Sequence, residues 1–149
     1  MSIEIVLVFA LSTPPSAVDL QSAFNSQGLP ATLDQSLNLA ELHGFLPLTY
    51  RGKATGFEYS AGTVEAFLKD YPGANVAGLK GQHAVTFRWG ASLLECAAAL
   101  DAAAALADGL GAKVFSTESG EYAPAEFLRA GAKQCFSLAE EGGAPGKHP

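Results

Sequence analysis

Three histidines, two cysteines and fifteen acidic residues are the side chains with which this chain of 149 residues could do chemistry. A serine or cysteine nucleophile needs an imidazole within hydrogen-bond reach. The histidines stand at 43, 83 and 148, with His43 before Gly44 and His83 closing Gly81-Gln82-His83, both at loops or strand entrances. Nothing in the sequence brings either to Ser60, Ser119 or a cysteine, so both read as surface histidines. Cys96 and Cys135 have neither C-x-x-C spacing nor histidine neighbours, which excludes the close ligand pairs of a structural zinc site. Both fall in apolar helical segments and are expected as buried free thiols, with a disulfide between the two helices as the alternative. The glycines form neither G-x-x-x-x-G-K-[ST] nor G-x-G-x-x-G, so a phosphate-cradling loop and nucleotide binding are not expected.

Paired carboxylates do acid–base work only when the fold brings them together. Asp101 and Asp108, seven apart on a helical run, read as its solvated stripe. Glu118, Glu121 and Tyr122 fall on one turn, where acids beside an aromatic suit a docking surface, the tyrosine being the anchor. Glu58 is read as an outward residue of a hairpin and joins them as a candidate partner contact. Trp89, between Arg88 and Gly90, reads first as a core plug, then as a cation–π partner or interface anchor. No catalytic residue, metal site or cofactor is expected.

The elements that must position these residues fit one domain. At this length a chain buries roughly 68–70% of its unfolded surface, and 48% hydrophobic against 16% charged residues lies outside the disordered range. The net charge of −6 reflects 15 acids against 9 bases, and the densest basic grouping is Arg51 with Lys53. Phosphate-backbone binding needs clustered Lys and Arg, so nucleic acid is not an expected partner and a basic one is. Ile5 to Leu11 follows Glu4 rather than a basic stretch, and no later run approaches spanning length, so neither export nor membrane insertion is expected and the cytoplasm is the default.

Along the chain, residues 3–9 are a near-continuous β-branched run, predicting a central strand covered on both faces. Ser16 and Asp19 offer a cap for a helix over 16–27 with Val18, Leu20 and Phe24 inward. A short strand is expected near 31–36. A hairpin follows, 45–51 and 55–60 around Gly52-Lys53-Ala54, with Leu46, Leu48, Tyr50, Phe57 and Tyr59 sharing one buried face. Thr63 caps a short helix to Tyr71, and 84–89 is a strand. The strongest local signal is Ser92-Leu93-Leu94-Glu95, a capping box before an alanine-rich helix over 92–109 that should pack closely on a sheet. A strand at 112–116 and a helix from Pro124 complete the set. These elements predict an α+β domain over 1–138, an antiparallel or mixed sheet covered by helices with an elaborated ferredoxin-like arrangement as one topology, and a flexible tail over 139–149.

The segment from Phe87 through Leu100, followed by Ala105-Leu106-Ala107 and Val114 to Gly120, resembles small bacterial immunity proteins encoded beside polymorphic or contact-delivered toxins. The shared pattern is a strand, a long Ala/Leu helix and a short strand with an acidic turn, over about a third of the chain. The resemblance implies a protein without chemistry of its own that binds a cognate toxin and occludes its active site; Glu58, Glu118, Glu121 and Tyr122, read as exposed, are the candidate contacts, the acids for steering and the tyrosine as an anchor. The alternative reading is a small-molecule-binding regulatory domain with an apolar pocket between the sheet and the alanine-rich helix.

Overall fold

The computed structural model describes residues 2–75 and 79–143. In chain order it contains β1 (Ile3–Phe9), α1 (Ala17–Ser26), β2 (Ala31–Thr32), β3 (His43–Tyr50), β4 (Lys53–Thr63), α2 (Val64–Asp70), β5 (His83–Trp89), α3 (Leu93–Leu110), β6 (Lys113–Ser116), β7 (Glu121–Ala123) and α4 (Ala125–Gly143). The strands form one sheet in the order β2-β3-β4-β5-β1-β6-β7, every pairing antiparallel. The class is α+β, as the element pattern predicts. Within it, β1-α1-β4-β5-α3-β6 lie in the spatial order β4-β5-β1-β6, the split βαβ arrangement of a ferredoxin-like core. The β2-β3 pair extends one edge and β7 the other.

Strand alternation sorts side chains to the two faces. Ile5, Leu7 and Phe9 of β1 join Leu46, Leu48 and Tyr50 of β3, Phe57 and Tyr59 of β4 and Phe87 of β5 in the main core, under α1, α3 and α4. The five hairpin residues assigned to one buried face are all buried. The hairpin's turn is tighter than expected: Tyr50 pairs with Lys53, leaving Arg51 and Gly52 as a two-residue loop, both at positive φ. That handedness matches the twist of the flanking strands.

Alanine lets α3 lie close to its neighbours. Ala97, Ala98, Ala99, Ala102, Ala103, Ala104 and Ala105 are all buried, and α3 touches both α1 and α4. The space where an apolar ligand pocket was expected, between α3 and the sheet, is therefore filled by these side chains. Ser92 caps α3 by accepting from the Glu95 amide, while the reciprocal half of a capping box forms at Ser16 and Asp19 of α1 instead. Val18, expected inward, is exposed; the buried stripe of α1 is Ala17, Leu20, Gln21 and Phe24, at helical spacing, and Val18 lies off it.

Two other expectations are corrected. Cys96 and Cys135 are joined in a disulfide, because α3 and α4 pack side by side and bring the two Cα atoms to 6.1 Å. Asp101 is not a solvated residue: it accepts a 2.5 Å hydrogen bond from the Tyr50 hydroxyl and pairs with Arg51 at 3.6 Å, because α3 crosses over the end of the hairpin. Asp108 pairs with Arg129 of α4. The α4 helix runs to Gly143, five residues into the stretch read as a tail, and 144–149 lie outside the described residues.

Candidate functional site

The second face of the sheet is covered over only part of its area. Val6 and Val8 of β1, Ala84 of β5 and Phe115 of β6 form a small second core beneath Phe67 of α2 and Ala74. The alternating polar positions of the same strands stay uncovered. In register across the sheet stand Glu58, Arg88 and Glu4, on β4, β5 and β1, and one step along stand His43, Ser60 and Thr86 with Val6. Two-residue periodicity therefore lays a polar floor beside α2, whose Asp70 and Tyr71 end forms a wall.

The result is a trough of about 480 Å³ lined by Glu4, Ser60, Thr86, Arg88, Asp70 and Tyr71 among others. It adjoins a smaller hollow of about 200 Å³ that adds His43 and Glu58, sharing Ser60, Thr86 and Arg88 with the first. Among the described residues Arg88 is the one Lys or Arg that lines it, and it binds Glu4 at 3.1 Å. Glu58 and Asp70 are both exposed, so acids outnumber bases along this floor. The resulting field favours a cationic partner group.

His43 and Ser60 meet here: His43 Nδ1 lies 2.8 Å from Ser60 Oγ, correcting their expected separation. Pairing of β3 with β4 sets His43 opposite Ser60, a register the sequence did not reveal. An imidazole beside a hydroxyl is half of a nucleophilic arrangement; the other half is a group that orients the ring. Among the described residues no carboxylate is hydrogen-bonded to His43, and both side chains are exposed. The described residues hold no cluster of three or more His, Cys, Asp and Glu suited to a metal ion.

Of the candidate contacts, Glu58 lies in the trough. Glu118 and Glu121 are exposed on the β6-β7 turn, which borders the Glu4 end: the Thr117 hydroxyl donates to the Glu4 carbonyl at 2.9 Å. Tyr122 is half-buried. Its ring packs edge-on against Phe115 and its hydroxyl donates to the Ala74 carbonyl at 3.0 Å, so it braces the α2 side of the trough instead of projecting as an anchor. Burial pushes its phenol pKa up. Trp89 is a core residue, buried at the end of β5.

Glu4, Arg88 and Thr86 were not singled out by sequence reasoning, and His43 and Ser60 were weighed there only as separate surface residues. Their signal is a polar residue on the same face as apolar ones where that face leaves its cover, as at Glu4 two residues before Val6 and Val8. Among the described residues no helix is long and apolar enough to cross a membrane. Compared with protein-family models, curated proteins and solved structures, the chain matches none of them.

Proposed function

We propose that this chain is a binding module of the immunity type, which docks one-to-one on a basic partner protein through the open half of its sheet and thereby occludes it. The observation that carries the reading is the trough itself, a broad polar surface where Glu58 and Asp70 face solvent and Glu4, half-buried, pairs with Arg88, the one Lys or Arg lining it among the described residues. Glu118 and Glu121 extend the acidic border along the β6-β7 turn. A net charge of −6 adds a long-range attraction that speeds encounter with a basic surface. The resemblance of residues 87–120 to immunity proteins supplies the partner class, a cognate toxin. A nucleic-acid-targeting toxin, whose substrate site is basic, suits this surface best.

The reading places the protein in the cytoplasm, where such a toxin acts. That compartment is reducing, so the Cys96–Cys135 disulfide is open there to reduction.

The test is calorimetry of the purified chain against each product of the genes flanking its own. A one-to-one complex of nanomolar affinity, about −12 kcal/mol, with a protein that is toxic alone is the expected result. Glu58→Lys and Asp70→Lys should then slow association and flatten its salt dependence while leaving the fold intact. Absence of any complex at micromolar concentration overturns the proposal. Hydrolysis of acyl substrates abolished by Ser60→Ala would instead make the His43–Ser60 pair the functional centre.

A further inference from the structure

The β3-β4 hairpin separates its charges between its two faces. Arg51 turns to the helix side, where it pairs with Asp101 at 3.6 Å, and Lys53 turns the same way to Glu140 of α4 at 3.3 Å. On the open face, which also carries the trough, alternation places Phe45, Pro47 and Thr49 of β3 opposite Glu58, Gly56 and Ala54 of β4. Phe45, Pro47, Thr49 and Ala54 line a shallow hollow of about 570 Å³ whose far wall is Thr32 and Asp34. Among the described residues Asp34 is the one charged group in that lining. Glu58, the cross-strand neighbour of Phe45, stands where the hollow meets the trough.

Two of these side chains are ordered in advance. Phe45 is 48% exposed, yet its ring lies on Gly56, where an added Cβ would come within 2.6 Å of a ring carbon. An anchor already held in place loses little conformational entropy on binding. Asp34 accepts from the Ser36 amide at 2.9 Å and the Ser36 hydroxyl at 2.7 Å, both on Oδ1, leaving Oδ2 with no hydrogen bond from a described residue. An aromatic ring beside a carboxylate already holds one arginine in this molecule: the Arg51 guanidinium lies 5.4 Å from the Tyr50 ring centre and 5.3 Å from that of Phe136, next to Asp101. A guanidinium is planar and weakly hydrated, so it stacks on an aromatic face while its edge pairs with a carboxylate. An ammonium keeps its water more strongly and gains less against Phe45, Pro47 and Ala54.

We infer that this hollow receives one arginine side chain of the basic partner, its guanidinium stacked on the Phe45 ring and paired with Asp34, its methylenes lying on Pro47. The inference rests on the docking reading for its partner, and it sets the apolar anchor of that interface at Phe45, beside the trough. Aromatic rings and arginines are the groups on which binding energy concentrates. No Lys or Arg among the described residues lines the hollow, so an incoming cation meets only Asp34 and, at the border, Glu58.

The experiment uses the full chain, two-dimensional NMR, and three probes: N-acetylarginine amide, N-acetyllysine amide and N-acetylcitrulline amide, the last matching arginine in shape without its charge. The arginine probe is expected to move the Phe45 ring signals and the amides of residues 32–34 and 54–55 saturably at millimolar concentration. The lysine probe should bind several-fold more weakly, and citrulline without saturation. Phe45→Leu, which keeps apolar bulk but removes the ring, should lower the affinity for arginine about fivefold. Asp34→Asn, which keeps the bonds from Ser36, should lower it about threefold, and it keeps the test decisive if Phe45→Leu disturbs the packing on Gly56. Absence of any saturable shift overturns the inference. So do shifts centred on residues 86–88 of the trough, citrulline binding as tightly as arginine, or an affinity unchanged in both variants. These measurements need no partner, so their failure leaves the docking reading to the calorimetry. With a partner in hand, Phe45→Leu should speed its dissociation about tenfold; a complex indifferent to that substitution keeps the docking reading and overturns this anchor.

Discussion

Tyr50 concentrates several interactions on one side chain. It is buried, its hydroxyl donates to Asp101 of α3, its ring meets Phe136 of α4 edge-on at 5.8 Å, and the Arg51 guanidinium lies over both rings. One phenol thus ties the hairpin to two helices. Asp101→Ala is expected to cost about 1–3 kcal/mol in urea unfolding, because it leaves the hydroxyl without its acceptor. Burial first, then the Asp101 carboxylate, push the Tyr50 pKa up to about 12. Burial alone pushes Tyr59 upward as well. A phenol whose folded pKa exceeds its unfolded value of about 10 keeps its proton in the native state while the unfolded chain loses it. Stability should therefore be intact below pH 10 and fall as pH rises from 10 to 12. Tyr50→Phe, compared with its own neutral-pH stability, should weaken that fall, as read by circular dichroism and tyrosinate absorbance. A second node is Gln21, buried on α1, whose amide donates to the Ala31 carbonyl and accepts from the Leu33 amide, both at 3.0 Å. Gln21→Ala should cost about 1–3 kcal/mol by stranding these backbone groups. A buried glutamine in a helical stripe is not legible from apolar spacing, which is why Val18 was assigned inward in its place.

The α3–α4 pair is held in several ways: the Cys96–Cys135 disulfide, the Arg129–Asp108 ion pair, and Leu128 and Ala132 buried on the α4 side. Closing a loop across 39 residues by a disulfide is worth about 2–4 kcal/mol, mostly through the unfolded state. Reduction should lower the melting temperature and leave the native circular dichroism spectrum unchanged, since the remaining contacts persist; loss of the spectrum would mean that the disulfide alone holds α4. On the opposite side, α3 approaches α1 through Gly109, where an added Cβ would lie 2.9 Å from that of Ala23. Gly109→Ala should thus destabilise despite the better helix propensity of alanine, because two helix backbones would have to separate. Gly109 therefore serves a close approach inside α3, and the helix ends one residue beyond the expected 109, at Leu110, with Gly111 as its left-handed cap. What was legible was local or periodic: the caps at Ser16 and Ser92, the alternation of Leu46, Leu48, Tyr50, Phe57 and Tyr59, and the small residues of α3. The Arg51-Gly52 turn was not, since an arginine at positive φ carries no compositional signal. Nor was the disulfide, because residues 39 apart meet only through helix packing.

For the molecule as a whole, what made the candidate site hard to see is the unequal covering of the sheet. Glu58 was picked out because a hairpin displays its own outer face; His43 stands on the same hairpin but beyond the expected start of its first strand, whereas Glu4 and Arg88 reach that face only through pairings between strands far apart in the chain. That α1, α3 and α4 all fall on one side, leaving α2 alone on the other, follows from the strand order, which no local pattern encodes. The same order places the N-terminal strand in the interior of the sheet, with β5 and β6 as its two neighbours. The ribosome makes Ile3–Phe9 first and the segment that completes its pairing, Lys113–Ser116, more than a hundred residues later. At about 5–20 residues per second, the most hydrophobic strand of the protein is without its full set of partners for roughly 6–20 s of each synthesis. A nascent chain with an unsheltered β-branched segment is prone to pair with other chains, so anything that covers residues 3–9 until Lys113–Ser116 has been made is expected to raise the yield of folded protein.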